Sequence, residues 1–195
     1  MFKIMTVLLS VCFSFNAVSE WKKILEEDSI SIYSEQEAVG VIPFKAIGHV
    51  DANIKKVLQV LVDHQNKHLW SPKLKSVKIH RKTKSDVYFS EYYKTPWPAV
   101  DREFLLKGQM IIKRNKVILT AMSVEDNTLE NEDHIQARVE TLHLELIAVG
   151  KNKTKVTFEF FGDFQGWMPI WLTNLIQKKW PLRFIQGLRK RVNQV

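Results

Sequence analysis

The chain has 195 residues, 45% of them hydrophobic, with only 7 Gly and 6 Pro; this excludes a low-complexity or disordered chain and leaves enough sequence to bury a full core as one domain. The formal net charge of +8 is spread along the chain, with clusters at Lys73 to Lys84 and Lys178 to Arg191, either as a solvated basic surface or as one that attracts an anionic membrane. The aromatics are not interleaved with these clusters as base stacking would require, so nucleic acid is not an expected partner.

At the N-terminus, Lys3 precedes an uncharged run from Ile4 to Phe15, followed by Asn-Ala-Val-Ser with small residues at Ala17 and Ser19. This pattern predicts a secretory signal peptide over 1–19, cleaved before Glu20, and a single exported domain over 20–195, periplasmic or secreted. The apolar run of 12 residues falls short of the roughly 20 that a membrane span needs. An uncleaved anchor is the alternative. Val11, before Cys12, is too large for a lipoprotein cleavage site. Cys12 is the sole cysteine, so a mature form would hold no disulfide.

From Trp21 the chain reads as short strands. Ser29–Ser34 and Phe44–Val50 alternate apolar with polar residues. The period then changes: Ile54, Val57, Leu58, Leu61 and Val62 stand at helical spacing within Ala52–His64, with Asp51 as the expected N-cap. After Trp70-Ser71-Pro72 come strands at about 74–82, 87–95, 103–112, 117–124, 135–149 and 155–162, joined by hairpin turns at 113–116 and 150–153. Strands in a run with segregated helices predict an α+β domain built on a largely antiparallel meander.

The last thirty residues close the chain with a helix that opens at Pro169. Met168, Trp171, Leu172, Leu175 and Ile176 share one side; beyond Pro181 the apolar side moves round to Leu182, Ile185, Leu188 and Val192. Pro181 cannot donate to Gln177, so a kink or break near Trp180 is expected, giving two amphipathic segments of about 20 Å each. Such a stripe serves either a flat packed layer or the lid of a cavity.

The stretch Tyr92-Tyr93-Lys94-Thr95-Pro96-Trp97-Pro98-Ala99-Val100-Asp101-Arg102-Glu103-Phe104 resembles the PWP-x-x-(D/N)-R-(D/E) segment of START domains, lipid-transfer modules related to steroidogenic acute regulatory protein. Further pieces are similar in the same order: Phe44-Lys45-Ala46-Ile47-Gly48, Asp63, Trp70-Ser71-Pro72, Arg138, and Asp163-Phe164-Gln165-Gly166 with Pro169, Trp171, Leu172 and Asn174. The resemblance covers nearly all of 20–195. It implies a helix-grip fold, a curved antiparallel sheet wrapped around the long C-terminal helix, with a tunnel for one lipid or sterol.

On strand 87–95, Val87, Phe89, Glu91 and Tyr93 share a face; on 135–149, Arg138 has the parity of Leu142, Leu144 and Leu146. If these faces point inward, Glu91 and Arg138, with Arg102, make a paired polar spot in the cavity, since a buried charge is tolerated only when partnered. Phe89, Phe104, Leu106, Met110, Phe158 and Phe160 then line the apolar remainder. A solvent-facing ion pair is the competing reading of Glu91 and Arg138. In sterol-binding relatives the counterpart of Glu91 pairs with an arginine on the next strand; here that region offers Gly108. Asp101 and Arg102 resemble residues that some relatives place near a phospholipid head group, and they also suit anchoring of the turn after Pro98.

Trp97, Trp167, Met168 and Trp171 are candidates for the tunnel mouth, where rings touch a bilayer during exchange, and Leu175 on the terminal helix joins the ligand-binding candidates. His64 and His68 stand four apart with no third metal ligand in reach, so no metal or other cofactor is expected. The sequence thus predicts a non-enzymatic, monomeric carrier of a lipid or sterol-like molecule with transient membrane contact. The alternatives are a helix-grip enzyme of cyclase or hydrolase type, for which G-x-S-x-G and H-E-x-x-H are both missing, and a lipid sensor or adaptor.

Overall fold

The structure, a computed structural model, describes residues 21–35 and 43–195. The expected leader at 1–19 lies outside the described residues. In chain order the elements are β1 (Lys22–Glu27), β2 (Ile30–Ser34), β3 (Phe44–Val50), α1 (Ile54–Val62), a 3-10 turn (Lys67–Leu69), β4 (Leu74–Lys82), β5 (Asp86–Tyr93), β6 (Arg102–Lys113), β7 (Lys116–Ser123), β8 (Ile135–Gln136), β9 (Arg138–Ala148), β10 (Thr154–Asp163) and α2 (Ile170–Val192). The strands form one curved sheet in the order β1-β2-β3-β10-β9-β7-β6-β5-β4, with β8 paired to β6 off this path. Every pairing on the path is antiparallel; β6–β8 is parallel. This is the expected α+β helix-grip arrangement.

Alternation places the core. The inward faces of β2, β3 and β10 supply Ile30 and Ile32, then Phe44, Ala46 and Val50, then Val156, Phe158 and Phe160, all buried. Both expected hairpins form: Arg114-Asn115 joins β6 to β7, and the β9–β10 turn uses Gly150 at φ 84°, a left-handed conformation suited to glycine.

Three local expectations are corrected and one strand is added. The helix α1 is capped by Asn53, whose side chain accepts from the N–H of Lys56 at 3.0 Å, not by Asp51, because the helix starts later and only Asn53 stands three residues before a free N–H. β1, Lys-Lys-Ile-Leu-Glu-Glu, has no alternation to announce it and exists through its pairing with β2. The single strand expected over 135–149 is divided at Ala137, whose N–H donates to the carbonyl of Glu103 at 2.8 Å, so the first piece runs along β6. Finally, α2 is one helix of 23 residues with Pro181 inside it, and no break falls at Trp180. Pro181 removes one intrahelical donor, while Pro181, Leu182, Phe184 and Ile185 are all buried and the Trp180 indole donates to the Pro72 carbonyl at 3.1 Å. Packing of the flanking turns outweighs the lost bond.

The C-terminal half of α2 is sunk into the sheet. A Cβ on Gly48 of β3 would stand 3.1 Å from Ile185, and one on Gly187 would stand 2.2 Å from the Trp70 carbonyl oxygen. The N-terminal half stands off: Leu172 is buried, but Ile170, Trp171 and Leu175 are exposed. Among the described residues no helix is long and apolar enough to cross a membrane.

The Gly187→Ala protein is expected to lose about 2–3 kcal/mol, since the atom it strikes is backbone and cannot rotate away, and to melt roughly 5–10 °C lower. Thermal unfolding followed by circular dichroism measures this. An unchanged melting temperature would show that α2 does not approach Trp70 so closely.

Candidate functional site

Because α2 packs on β2, β3 and α1, the concave face over β5, β6 and β9 is not filled by it. Two adjoining chambers remain. The larger, about 410 Å³, runs from the end of α1 and the β4–β5 hairpin inward past Phe89, Met110, Leu144 and Phe158. The smaller, about 90 Å³, lies beneath the raised half of α2, between Phe104, Val139, Phe160, Phe164, Leu172 and Leu175. Glu91, Tyr93, Leu106, Leu142 and Trp180 belong to both linings. Even the larger chamber alone falls within the usual 300–1,000 Å³ of small-molecule pockets.

One polar group stands at the junction. Glu91, only 4% exposed, pairs through Oε1 with the Lys67 ammonium and accepts the Tyr93 hydroxyl on Oε2 at 2.7 Å. Burial first, then the charge and hydrogen bond of Glu91, pushes the Tyr93 phenol well above its ordinary range, so Tyr93 stays a donor at all physiological pH. His64 lines the larger chamber against Phe89, with ring centroids 5.3 Å apart. Its Nδ1 is buried without a hydrogen-bond partner among the described residues. Burial, then the Lys67 charge, lowers its pKa, so the ring is neutral at pH 7.

The match to known proteins follows this architecture. The model of the START domain matches residues 16–195. The chain belongs to the START domain family. It is similar to an uncharacterized protein of Pseudomonas aeruginosa, 24% identical over 191 residues that make up 95% of this chain and 94% of that one. In fold it is similar to a STAR-related lipid transfer protein of Xanthomonas axonopodis, with TM-score 0.79 and 19% identity over 89% of this chain and 99% of that chain. The human StAR-related lipid transfer protein 5 superposes with TM-score 0.81 and 14% identity, over 92% of this chain and 89% of that chain. START membership and these neighbours support a domain that binds a hydrophobic ligand.

Within this START domain the candidate residues divide. Phe89, Glu91, Tyr93, Phe104, Leu106, Met110, Phe158, Phe160 and Leu175 all line one or both chambers, although Met110 and Leu175 sit at the openings, 46% and 42% exposed. Trp97 and Trp171 are exposed beside the smaller chamber, next to its lining residues Pro96 and Leu172. Arg138 does not face the cavity. It is exposed and pairs with Glu125 at 3.0 Å. The β9–β10 register steps from Phe161↔Thr141 to Gly162↔Val139; the extra residue, Glu140, is a bulge that reverses the alternation, so Val139 points in. The partner of Glu91 is instead Lys67, brought from the 3-10 turn, a segment with no periodicity to mark it.

Arg102 touches the smaller chamber but spends its donors elsewhere. Fully buried, it donates through Nη1 to the Val100 carbonyl, through Nε to Phe164 at 3.2 Å, and through Nη2 to Gln165 at 3.0 Å and Trp167 at 3.2 Å. Burial lowers its pKa, with Asp101 opposing, yet guanidinium remains charged throughout the accessible range. Asp101 in turn accepts the Thr95 N–H at 2.8 Å and the Lys75 ammonium at 2.6 Å. Together they rivet the β5–β6 loop to the segment leading into α2.

Arg102→Lys keeps the charge but not the planar fork, so it is expected to lose about 2–4 kcal/mol as buried carbonyls go unpaired. Hydrogen exchange should quicken at both 94–101 and 164–169, while β9 and β10 stay protected. Unchanged exchange in these two segments would contradict the rivet.

Proposed function

We propose that this START domain is a carrier: it withdraws one amphiphilic molecule from a membrane, shields its apolar part in the two chambers beneath α2, and releases it at another membrane without chemical change. The observation that carries this reading is the hollow, apolar centre opening beside exposed rings. Trp97 is 89% and Trp167 67% exposed, and Val100, Ile170 and Trp171 are exposed too. Arg102 ties the backbones of Val100 and Trp167 together, so these side chains form one apolar skirt. Lys73, Lys94 and Arg183 line the smaller chamber at this end with no carboxylate partner among the described residues, while Lys179 is held by Glu27 at 2.9 Å. An apolar skirt bordered by cations that hold no carboxylate suits the interface of an anionic bilayer, where each cation contributes on the order of 1 kcal/mol. Burial of hydrocarbon at about 25 cal/mol per Å² supplies the affinity for cargo.

The signal-peptide pattern over 1–19 is what supports reading this carrier as exported, periplasmic or secreted. The carrier reading assigns no catalytic residue, since the Glu91 carboxylate is engaged by Lys67 and Tyr93.

Gently purified protein is expected to show one bound lipid in native mass spectrometry and to move labelled lipid between vesicles. A protein that is strictly empty and inactive in transfer would overturn the reading. Replacing Trp97, Trp167 and Trp171 together by Ala is expected to slow transfer between phosphatidylglycerol-containing vesicles about tenfold, leaving equilibrium lipid binding within twofold. Charge reversal at Lys73, Lys94 and Arg183 is expected to abolish the dependence of transfer on anionic lipid.

A further inference from the structure

The junction of the two chambers is unequal in its unmet hydrogen-bonding capacity. The carboxylates that line the cavity already hold donors: Glu91 has Lys67 and Tyr93, and Asp86 has Ser85 at 2.8 Å, Gln109 at 2.7 Å and Lys107 at 3.3 Å. Lys67 is different. An ammonium carries three N–H groups, and among the described residues only Glu91 receives one. Its side chain is 15% exposed and lines the larger chamber together with the partnerless Nδ1 of His64. Buried oxygens with a spare lone pair are somewhat more common than buried N–H donors left unmet.

Lys67 is also held where it is. The Asp63 carboxylate accepts both the N–H and the side-chain amide of Asn66, at 3.3 and 2.8 Å, and His68 Nδ1 lies 2.9 Å from the Gln65 carbonyl. The loop therefore braces itself on either side of Lys67, and its ammonium is directed at Glu91 by a preset backbone.

We propose that Lys67 selects the cargo, and that the cargo carries an anionic oxygen head group, carboxylate or phosphate, on a hydrocarbon chain. The head rests on the free N–H groups of Lys67 beside His64, and the chain lies along Phe89, Leu106 and Phe158. A sterol or alcohol hydroxyl gives Lys67 a weaker, uncharged acceptor. Cations at the openings with no carboxylate partner among the described residues, Lys73, Lys94 and Arg183 on one side and Lys82 and Lys84 on the other, draw an anion toward the same point. This inference rests on the carrier reading and adds the head group to it.

The test is calorimetric titration of the purified protein with palmitate, palmitoyl lysophosphatidate, hexadecanol and cholesterol. At least one anion is expected to bind ten- to a hundredfold more tightly than hexadecanol, the range a single charged hydrogen bond spans, and the tighter of the two anions identifies the head. E91Q frees Lys67 and is expected to bind the anions at least as tightly as the parent. The neutral pair K67M/E91Q, which leaves no uncompensated buried charge, is expected to lose the anion preference, the anions weakening at least tenfold more than hexadecanol; K67R/E91Q is expected to restore it. Hexadecanol or cholesterol binding as tightly as both anions, or equal weakening of all four ligands by K67M/E91Q, would overturn the role of Lys67 and leave the carrier reading standing. If none of the four binds, the lipid released from gently purified protein decides: an anionic head supports the inference, an uncharged head sinks it, and an empty protein sinks the carrier reading as well.

Discussion

One constraint shapes this molecule: a single helix cannot cover a curved sheet of this breadth, and α2 approaches it closely only at one end. The approach depends on missing side chains, since Gly48 and Gly187 leave room for Ile185 and for the Trp70 carbonyl. With Pro181, Leu182, Ile185, Leu188 and Val192 buried, that end behaves as ordinary core and contributes most of the helix's stabilisation. The other end is levered away from the sheet by the same geometry. The hollow is thus not a packing fault but the complement of a tight contact about two turns further along.

A hollow of this kind needs a rim that keeps its shape, and Arg102 provides it from inside. Its guanidinium is a five-donor fork among carbonyls that belong to two loops far apart in sequence. No residue of those loops need be apolar to hold them, so their outward positions are free to carry Trp97 and Trp167. The polar junction at Glu91 works by a related rule. A carboxylate so deeply buried persists because Lys67 and Tyr93 each give it a proton donor.

Much of this was legible in the residues. The inward set Phe89, Glu91 and Tyr93 follows from strand parity on β5, and the same reasoning finds Phe158 and Phe160 on β10, because both strands run without a bulge between those positions. Parity failed at Arg138 for a physical reason: Glu140 is one residue too many against β10, and every side chain on its N-terminal side changes face. Lys67 was invisible because its position is set by an Asp63–Asn66 turn and not by any repeat. Pro181 misled in the other direction, since a rule about backbone donors says nothing of how firmly the neighbouring turns are packed. Local propensity found the elements; tertiary contacts decided which side chains met.

Among the described residues the sheet does not close into a barrel, and β4 is one of its outer strands. That strand reads Leu-Lys-Ser-Val-Lys-Ile-His-Arg-Lys, with Lys75, Lys78, Arg81 and Lys82 exposed and two irregularities in its register with β5. An incoming strand would have to desolvate this row of like charges and follow a kinked backbone, both of which discourage growth of the sheet from one molecule into the next. A protein that exposes so many large apolar side chains at its openings is thereby protected along its flank from the fibrous aggregation that an unguarded backbone edge invites.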